Sequence, residues 1–224
     1  MIAPRVGRVR SPGHRVGRLG GLWSMVLAAG SGRRFGRNKL LLVTGRDTLL
    51  GVVVDNAKVV TGQRCIVVLG AGASRARQHL EGRRVSVVVN RRWREGMSSS
   101  LRAGLAALPR SARAVLVLLA DQYALGPGDL LRLAATWTRR PSQVAAATVD
   151  GRPGAPAILP RGTFARVRQL RGDRGARQML REPGFAFTSV PMAAATPDVD
   201  QRQDLHGLRH RRPRRRHACR DSDR

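Results

Sequence analysis

Five short runs of continuous apolar residues, separated by longer mixed segments, limit the fold of this chain more than any other feature. They are Leu22–Ala28, Cys65–Leu69, Val85–Val89, Ala114–Leu119 and Val144–Val149. None alternates apolar with polar residues, as a strand with one wet face does, so these runs suit strands buried on both faces. The segments Thr48–Val60, Ser99–Leu108 and Gly128–Thr138 instead carry apolar residues three and four apart, the spacing of one helical face. Asp47 or Thr48 is placed to cap the first of them. Strand and helix in this rhythm predict an α/β fold, a three-layer sandwich around a mostly parallel central sheet. Ligands of such sheets bind beyond the carboxyl ends of the strands.

The 224 residues suit one domain with a real core, and with aromatics at only 4% that core must be mostly Val, Leu and Ala. Residues 1–21 and 209–224 are low-complexity Gly, Pro and Arg segments that cannot bury apolar area, and they read as a disordered basic arm and tail flanking one domain over 22–208. The net charge is +28; setting aside +5 in residues 1–24 and +6 in residues 209–224 leaves +17 for residues 25–208. The body is therefore basic in its own right, which suits a polyanionic ligand. Cys65 and Cys219 are too few for a disulfide framework and have no metal-knuckle spacing, which points to a reducing, cytoplasmic compartment. His14, His79, His206, His210 and His217 form no cluster for zinc or Ser–His chemistry. The apolar stretch near the start runs straight into a cationic loop, unlike a signal peptide, and no stretch approaches the ~20 apolar residues of a membrane span.

That cationic loop is where chemistry is expected. Met25 to Lys39 reads as a strand ending in a bend with Gly30, Gly32 and Gly36, where exposed backbone N–H groups can cradle a polyphosphate. Arg33, Arg34, Arg37 and Lys39 add charge, and Lys39 is one of only two lysines in a chain with forty arginines. A surface turn with an ordinary basic face is the competing reading. Asp121 follows the most hydrophobic run and so faces the same crevice, suited either to Mg²⁺ held with phosphate oxygens or to capping a turn. Asn90 to Ser100 leads into a helix; Ser98 and Ser99 suit either an N-cap or a ligand contact. Leu170 to Arg177 is an anion site on the acceptor side or a plain corner between helices. Asp198 and Asp200 supply a second metal carboxylate if the chain returns to the sheet edge.

These segments, in this order, resemble the nucleotidyltransferase superfamily with its Rossmann-like sheet, and within it the molybdenum cofactor cytidylyltransferases. Leu27-Ala28-Ala29-Gly30, Arg34, Gly36 and Lys39 match that family's first loop. Asn90, Trp93, Gly96, Met97, Ser99, Ser100 and Leu101 match its serine stretch, and Asp121-Gln122 its central Asp-Gln. Gly172 to Arg177 match a Gly-Asp-Arg-Gly-Ala-Arg element, and Asp198, Asp200, Asp204 and Leu205 a late acidic motif. The chain departs from the pattern at Val43, Tyr123, Ala155 and Gln201-Arg202, where proline, proline, histidine and Thr-Pro are usual.

The resemblance implies transfer of CMP from CTP to the terminal phosphate of a molybdopterin-type acceptor, with release of pyrophosphate. It assigns the nucleotide to Leu27, Ala28, Ala29, Gly30, Gly32, Arg34 and Lys39, with Arg34, Lys39 and Asp121 catalytic. Asn90, Ser98 and Ser99 fall to the cytidine, and Asp173, Arg174 and Arg177 to the acceptor. Asp121 and Asp200 fall to Mg²⁺, or Mn²⁺ in its place. A recipient molybdoenzyme or its chaperone is the implied protein partner. Two rivals remain: a guanylyl- or sugar/polyol-phosphate transferase of the same fold, and a basic nucleic-acid binder, whose contacts through the arginine tails would be adventitious.

Overall fold

The computed structural model describes residues 19–30, 39–44 and 47–195. Elements follow in the order β1 (Leu22–Ala28), β2 (Val43–Thr44), β3 (Asp47–Thr48), α1 (Leu49–Thr61), β4 (Cys65–Leu69), α2 (Ala73–Gln78), β5 (Ser86–Val89) and α3 (Met97–Ala107). They continue with β6 (Ala114–Leu119), α4 (Pro127–Trp137), β7 (Val144–Val149), β8 (Arg152–Pro160), α5 (Phe164–Gln169), α6 (Ala176–Leu180) and β9 (Phe187–Pro191). Four of the five expected strands have the expected bounds, and the fifth begins one residue later, at Ser86. The calls on residues 1–18 and 196–224 lie outside the described residues.

The main sheet runs β5-β4-β1-β6-β8-β7-β9. Parallel pairing joins β5 to β4, β4 to β1, β1 to β6 and β7 to β9, whereas β8 runs antiparallel to both of its neighbours. Each strand sends alternate side chains to opposite faces, and both faces are covered. Val26, Val67 and Leu116 pack with Val53 and Val54 of α1 and Leu130 and Leu133 of α4. Met25, Val68 and Val117 pack on the other face with Leu101 of α3, Val167 of α5 and Met179 of α6. This double burial is why the β1, β4, β6 and β7 runs are continuous in sequence; β5, also expected to be buried on both faces, is instead a half-exposed edge strand.

β8 was not expected, because Pro153, Pro156 and Pro160 argue against a strand in the middle of a sheet. The pairing resolves this conflict. β6 bonds only the Ala157–Pro160 half of β8, and the β7 register shifts between Ala146 and Ala147, opposite the stretch holding Pro156. Pro156 thus sits in the register shift, and Pro153 in the half of β8 that β6 leaves unpaired.

Of the two capping candidates, Thr48 caps α1: its Oγ1 accepts from the Gly51 N–H at 3.1 Å. Thr48→Ala is expected to lower stability by about 1 kcal/mol, read as a reduced midpoint in denaturant at unchanged slope. An unchanged midpoint would show that the cap contributes nothing.

Candidate functional site

The carboxyl ends of four parallel strands, β5, β4, β1 and β6, are tied to one another by backbone bonds. Ala120 N–H donates to Leu27 O at 3.1 Å, Ala71 N–H to Ala29 O at 3.2 Å, and Asn90 N–H to Leu69 O at 2.7 Å. Beyond β1 the chain carries buried Ala29 and then exposed Gly30. Gly70 permits the approach of the next wall, since a Cβ there would lie 2.5 Å from Ala29 O and 2.7 Å from Trp93 Cβ.

A hollow of about 260 Å³ opens at this edge. Leu27, Ala28, Ala29 and Gly30 form one wall, Trp93, Gly96, Met97 and Ser100 a second, and Leu119, Ala120 and Asp121 the third, with Asp173 at the rim. A second hollow, also about 260 Å³, adjoins it, bordered by Val117, Ala155, Ala157, Ala176 and Arg177. Leu27, Met97, Leu119 and Asp173 border both, so the two form one cleft with a waist.

Asp121 lies half-buried in the turn that follows β6. Its neighbour Gln122 is 2% exposed and holds that turn in place. Gln122 Oε1 accepts from Leu119 N–H at 3.1 Å, and Nε2 donates to Ala155 O at 2.7 Å and Ala195 O at 3.0 Å. Gln122 is therefore a positioning residue for Asp121, a role its sequence position alone did not disclose.

The serine segment is built differently from expectation. The N-cap of α3 is Gly96, at φ +93° and ψ −175°, and Ser98 and Ser99 lie inside the first turn. Asn90 Nδ2 donates to Ser99 Oγ at 2.8 Å and Ser100 Oγ at 3.0 Å, while Asn90 Oδ1 accepts from Arg92 N–H at 2.9 Å. Ser99 Oγ lies 2.9 Å from Arg92 O and 2.8 Å from Gly96 O. Asn90, Ser98 and Ser99 are all buried and do not line the cleft. Their mutual bonds brace the wall, and Gly96, Met97 and Ser100 face the hollow.

The Gly172–Arg177 element forms the corner between α5 and α6, and it closes on the serine segment. Ser98 N–H donates to Gly172 O at 3.1 Å. Arg102, a residue missed in the sequence, ties the two together: Nη1 donates to Leu170 O at 2.6 Å and Ser98 Oγ at 3.3 Å, and Nη2 reaches Glu95 Oε2 at 3.3 Å. Of the acceptor candidates, Asp173 borders both hollows and Arg177 the second, while Arg174 lines neither.

Lys39 opens a 3₁₀ turn whose Leu40 borders the first hollow. Gly32, Arg34 and Asp200 lie outside the described residues. Among the described residues, no group of three or more His, Cys, Asp or Glu converges on a common point. The donor set at the cleft suits a hard cation held by a carboxylate and by oxygens of a bound phosphate ligand, rather than a preformed protein cage. Burial pushes the Cys65 thiol up to about 11, so it offers no nucleophile. Among the described residues no helix is long and apolar enough to cross a membrane.

A first strand followed by Gly30, a carboxylate after the adjacent central strand and a waisted cleft between them belong to an α/β fold of the nucleotidyltransferase kind. The chain belongs to the MobA-like NTP transferase domain family, whose profile matches residues 24–187. It is 35% identical over 199 residues to the nicotine blue oxidoreductase of Paenarthrobacter nicotinovorans, covering 82% of this chain and 94% of that protein. Among solved structures it is similar to Rv0371c of Mycobacterium tuberculosis, at a TM-score of 0.74 and 26% identity over 85% of this chain and 98% of that one. A second structure of Rv0371c, in complex with manganese, superimposes at 0.70 with 26% identity, over 84% of this chain and 97% of that one.

Proposed function

We propose that the chain transfers CMP from CTP to the terminal phosphate of a molybdopterin-type acceptor, releasing pyrophosphate. The observation that carries this is the two-part cleft, in which Leu27–Gly30 and Asp121 share the first hollow and Asp173 leads into the second. The triphosphate lies along the backbone after β1, with Gly30, Gly32, Arg34 and Lys39 neutralising charge that grows on the leaving pyrophosphate. Asp121, with Asp200, holds Mg²⁺ or Mn²⁺, which supplies charge neutralisation at the phosphates when bound. No residue need act as general base, because a phosphate nucleophile is already ionised. The chain's work is to fix the acceptor phosphate and the α-phosphorus in line.

The second hollow favours this acceptor over a sugar or polyol phosphate. Leu27, Leu101, Val117, Ala155 and Ala157 present apolar surface, and Asp173 and Arg177 supply the charged groups of its lining. A polyhydroxylated acceptor would leave hydroxyls without partners against that wall, whereas a flat heterocycle bearing an ionic group fits it. A cytoplasmic location and handover of the product to a recipient molybdoenzyme or its chaperone accompany this proposal.

Nucleotide-dependent melting tests the base choice. With Mg²⁺ present, CTP at about a hundred times its Kd should add about 2.7 kcal/mol, a rise of several degrees, and GTP at the same concentration should add much less. Equal shifts for both would point to a guanylyl or unselective transferase.

The name of the Paenarthrobacter relative supports a second reading, an oxidoreductase acting on a dye-like heterocycle. A nicotinamide dinucleotide also carries a pyrophosphate that the loop after β1 would hold. Oxidation of NADPH by the protein with nicotine blue, together with no pyrophosphate release from CTP and molybdopterin, would favour that reading.

A further inference from the structure

The sheet edge opposite the cleft carries a row of arginines for which nucleotidyl transfer has no use. Arg84 precedes β5 by two residues, Arg64 directly precedes β4, Arg113 directly precedes β6, and Arg139 and Arg140 lie on the turn leading to β7. Arg161 directly follows β8, whose antiparallel course brings its last residue to the same edge. Backbone contacts make these positions contiguous. Arg113 N–H donates to Gly21 O at 2.7 Å and Arg161 N–H to Arg113 O at 2.8 Å. Arg64 Nε donates to Leu22 O at 3.1 Å. In the sheet order β5-β4-β1-β6-β8-β7 the row crosses five interstrand spacings, about 24 Å at the usual strand separation. It ends at an open hollow of about 690 Å³ bordered by Arg139, Arg140, Gln143 and Thr163.

The row keeps its charge. Arg64 is half-buried and the others are exposed. Ion pairs among the described residues engage Arg83, Arg92, Arg102, Arg132 and Arg166, none of them in the row. Of the carboxylates nearby, Glu182 is held by Arg166, and Asp47 and Asp55 by Arg83, which leaves Glu81 beside Arg84. Residues 1–18, with five arginines, join the described chain at Leu19, two residues before Gly21 in the middle of the row.

The surface also selects its partner. A protein interface is anchored by apolar or aromatic residues, yet among the described residues the exposed large apolar side chains include only Val59, near the end of α1, close to this edge. Unpaired bases stack on free rings, but Arg161 lies over Phe164 at 6.0 Å and Arg166 over Phe185 at 5.1 Å. A duplex backbone needs neither feature, only cations at close spacing, and guanidinium forks suit phosphate. We propose that this edge binds the phosphate backbone of double-stranded nucleic acid without reading sequence, leaving the cleft on the far edge open.

The test uses the full chain and a short mixed-sequence DNA duplex, with affinity measured across a range of salt. Affinity should fall steeply with salt. The triple variant Arg113→Ser, Arg140→Ser, Arg161→Ser should bind about tenfold or more weaker at low salt, with a slope shallower by about three, one per lost phosphate contact. Arg75→Ser, Arg77→Ser, Arg168→Ser removes the same charge away from the row and should leave the slope unchanged. Should the first triple melt early, Arg139→Ser, Arg140→Ser on the open turn should still lower the slope by about two. Equal losses in the row and control triples, or none in either, would overturn the proposal, assigning binding to bulk charge or to the terminal arms. Polyglutamate or anionic phospholipid vesicles displacing the duplex at equal charge would overturn it too, pointing to an acidic protein or a lipid surface.

Discussion

Replacing Asp121 by alanine is expected to slow pyrophosphate release from CTP and the pterin acceptor about a thousandfold, with little change in melting temperature without ligand. The side chain lies in the turn after the central strand β6 and borders the same hollow as Leu27–Gly30, so its charge serves what binds there. Folding should survive, because Gln122 holds the turn through three bonds of its own. Asp121→Asn, which keeps the shape and removes the charge, should fall nearly as far, and the Mg²⁺-dependent part of the CTP melting shift should vanish in both. A loss of less than tenfold in the alanine variant would falsify the assignment of Asp121 to the metal and phosphates.

Gly96→Ala should damage the cleft more than any other single methyl group. Gly96 has φ +93° with ψ −175°, a conformation almost confined to glycine. A Cβ there would lie 2.4 Å from Gly172 C and 2.5 Å from Asp173 Oδ1. Strain and overpacking together predict a loss of about 3 kcal/mol, or about 10 °C in melting temperature. Activity should fall further than stability explains, because the methyl drives the serine wall and the 172–173 corner apart at the waist of the cleft. Retained activity at a normal melting temperature would mean that the two walls are not held in the register described.

Much of this was legible in the chain. Strands β1, β4, β6 and β7 could be read with their bounds because each is buried on both faces, so that hydrophobicity alone delimits it. The edge carrying Gly30 and Asp121 followed from where those strands stop. β8 was hidden because its prolines contradict a local rule that the half-length pairing with β6 relaxes. β9 was hidden because it is a short edge strand with half-exposed residues. Arg102 and Gln122 could not be found from sequence because their bonds reach 68 residues away to Leu170, and 33 and 73 residues away to Ala155 and Ala195. Asn90 and the serines were readable as important, yet the type of residue could not tell a bracing role from a base-reading one. Their burial and mutual bonds in the structure support the bracing role.

The Gln122 clasp has a bearing on how solution data are to be interpreted. Its three bonds join a neutral amide to backbone groups, so neither a proton nor a counterion can loosen it. The scaffold beneath Asp121 should therefore stay indifferent to acidity and ionic strength across the working range. Any dependence of turnover on those variables then belongs to the reactants and the side chains that grip them.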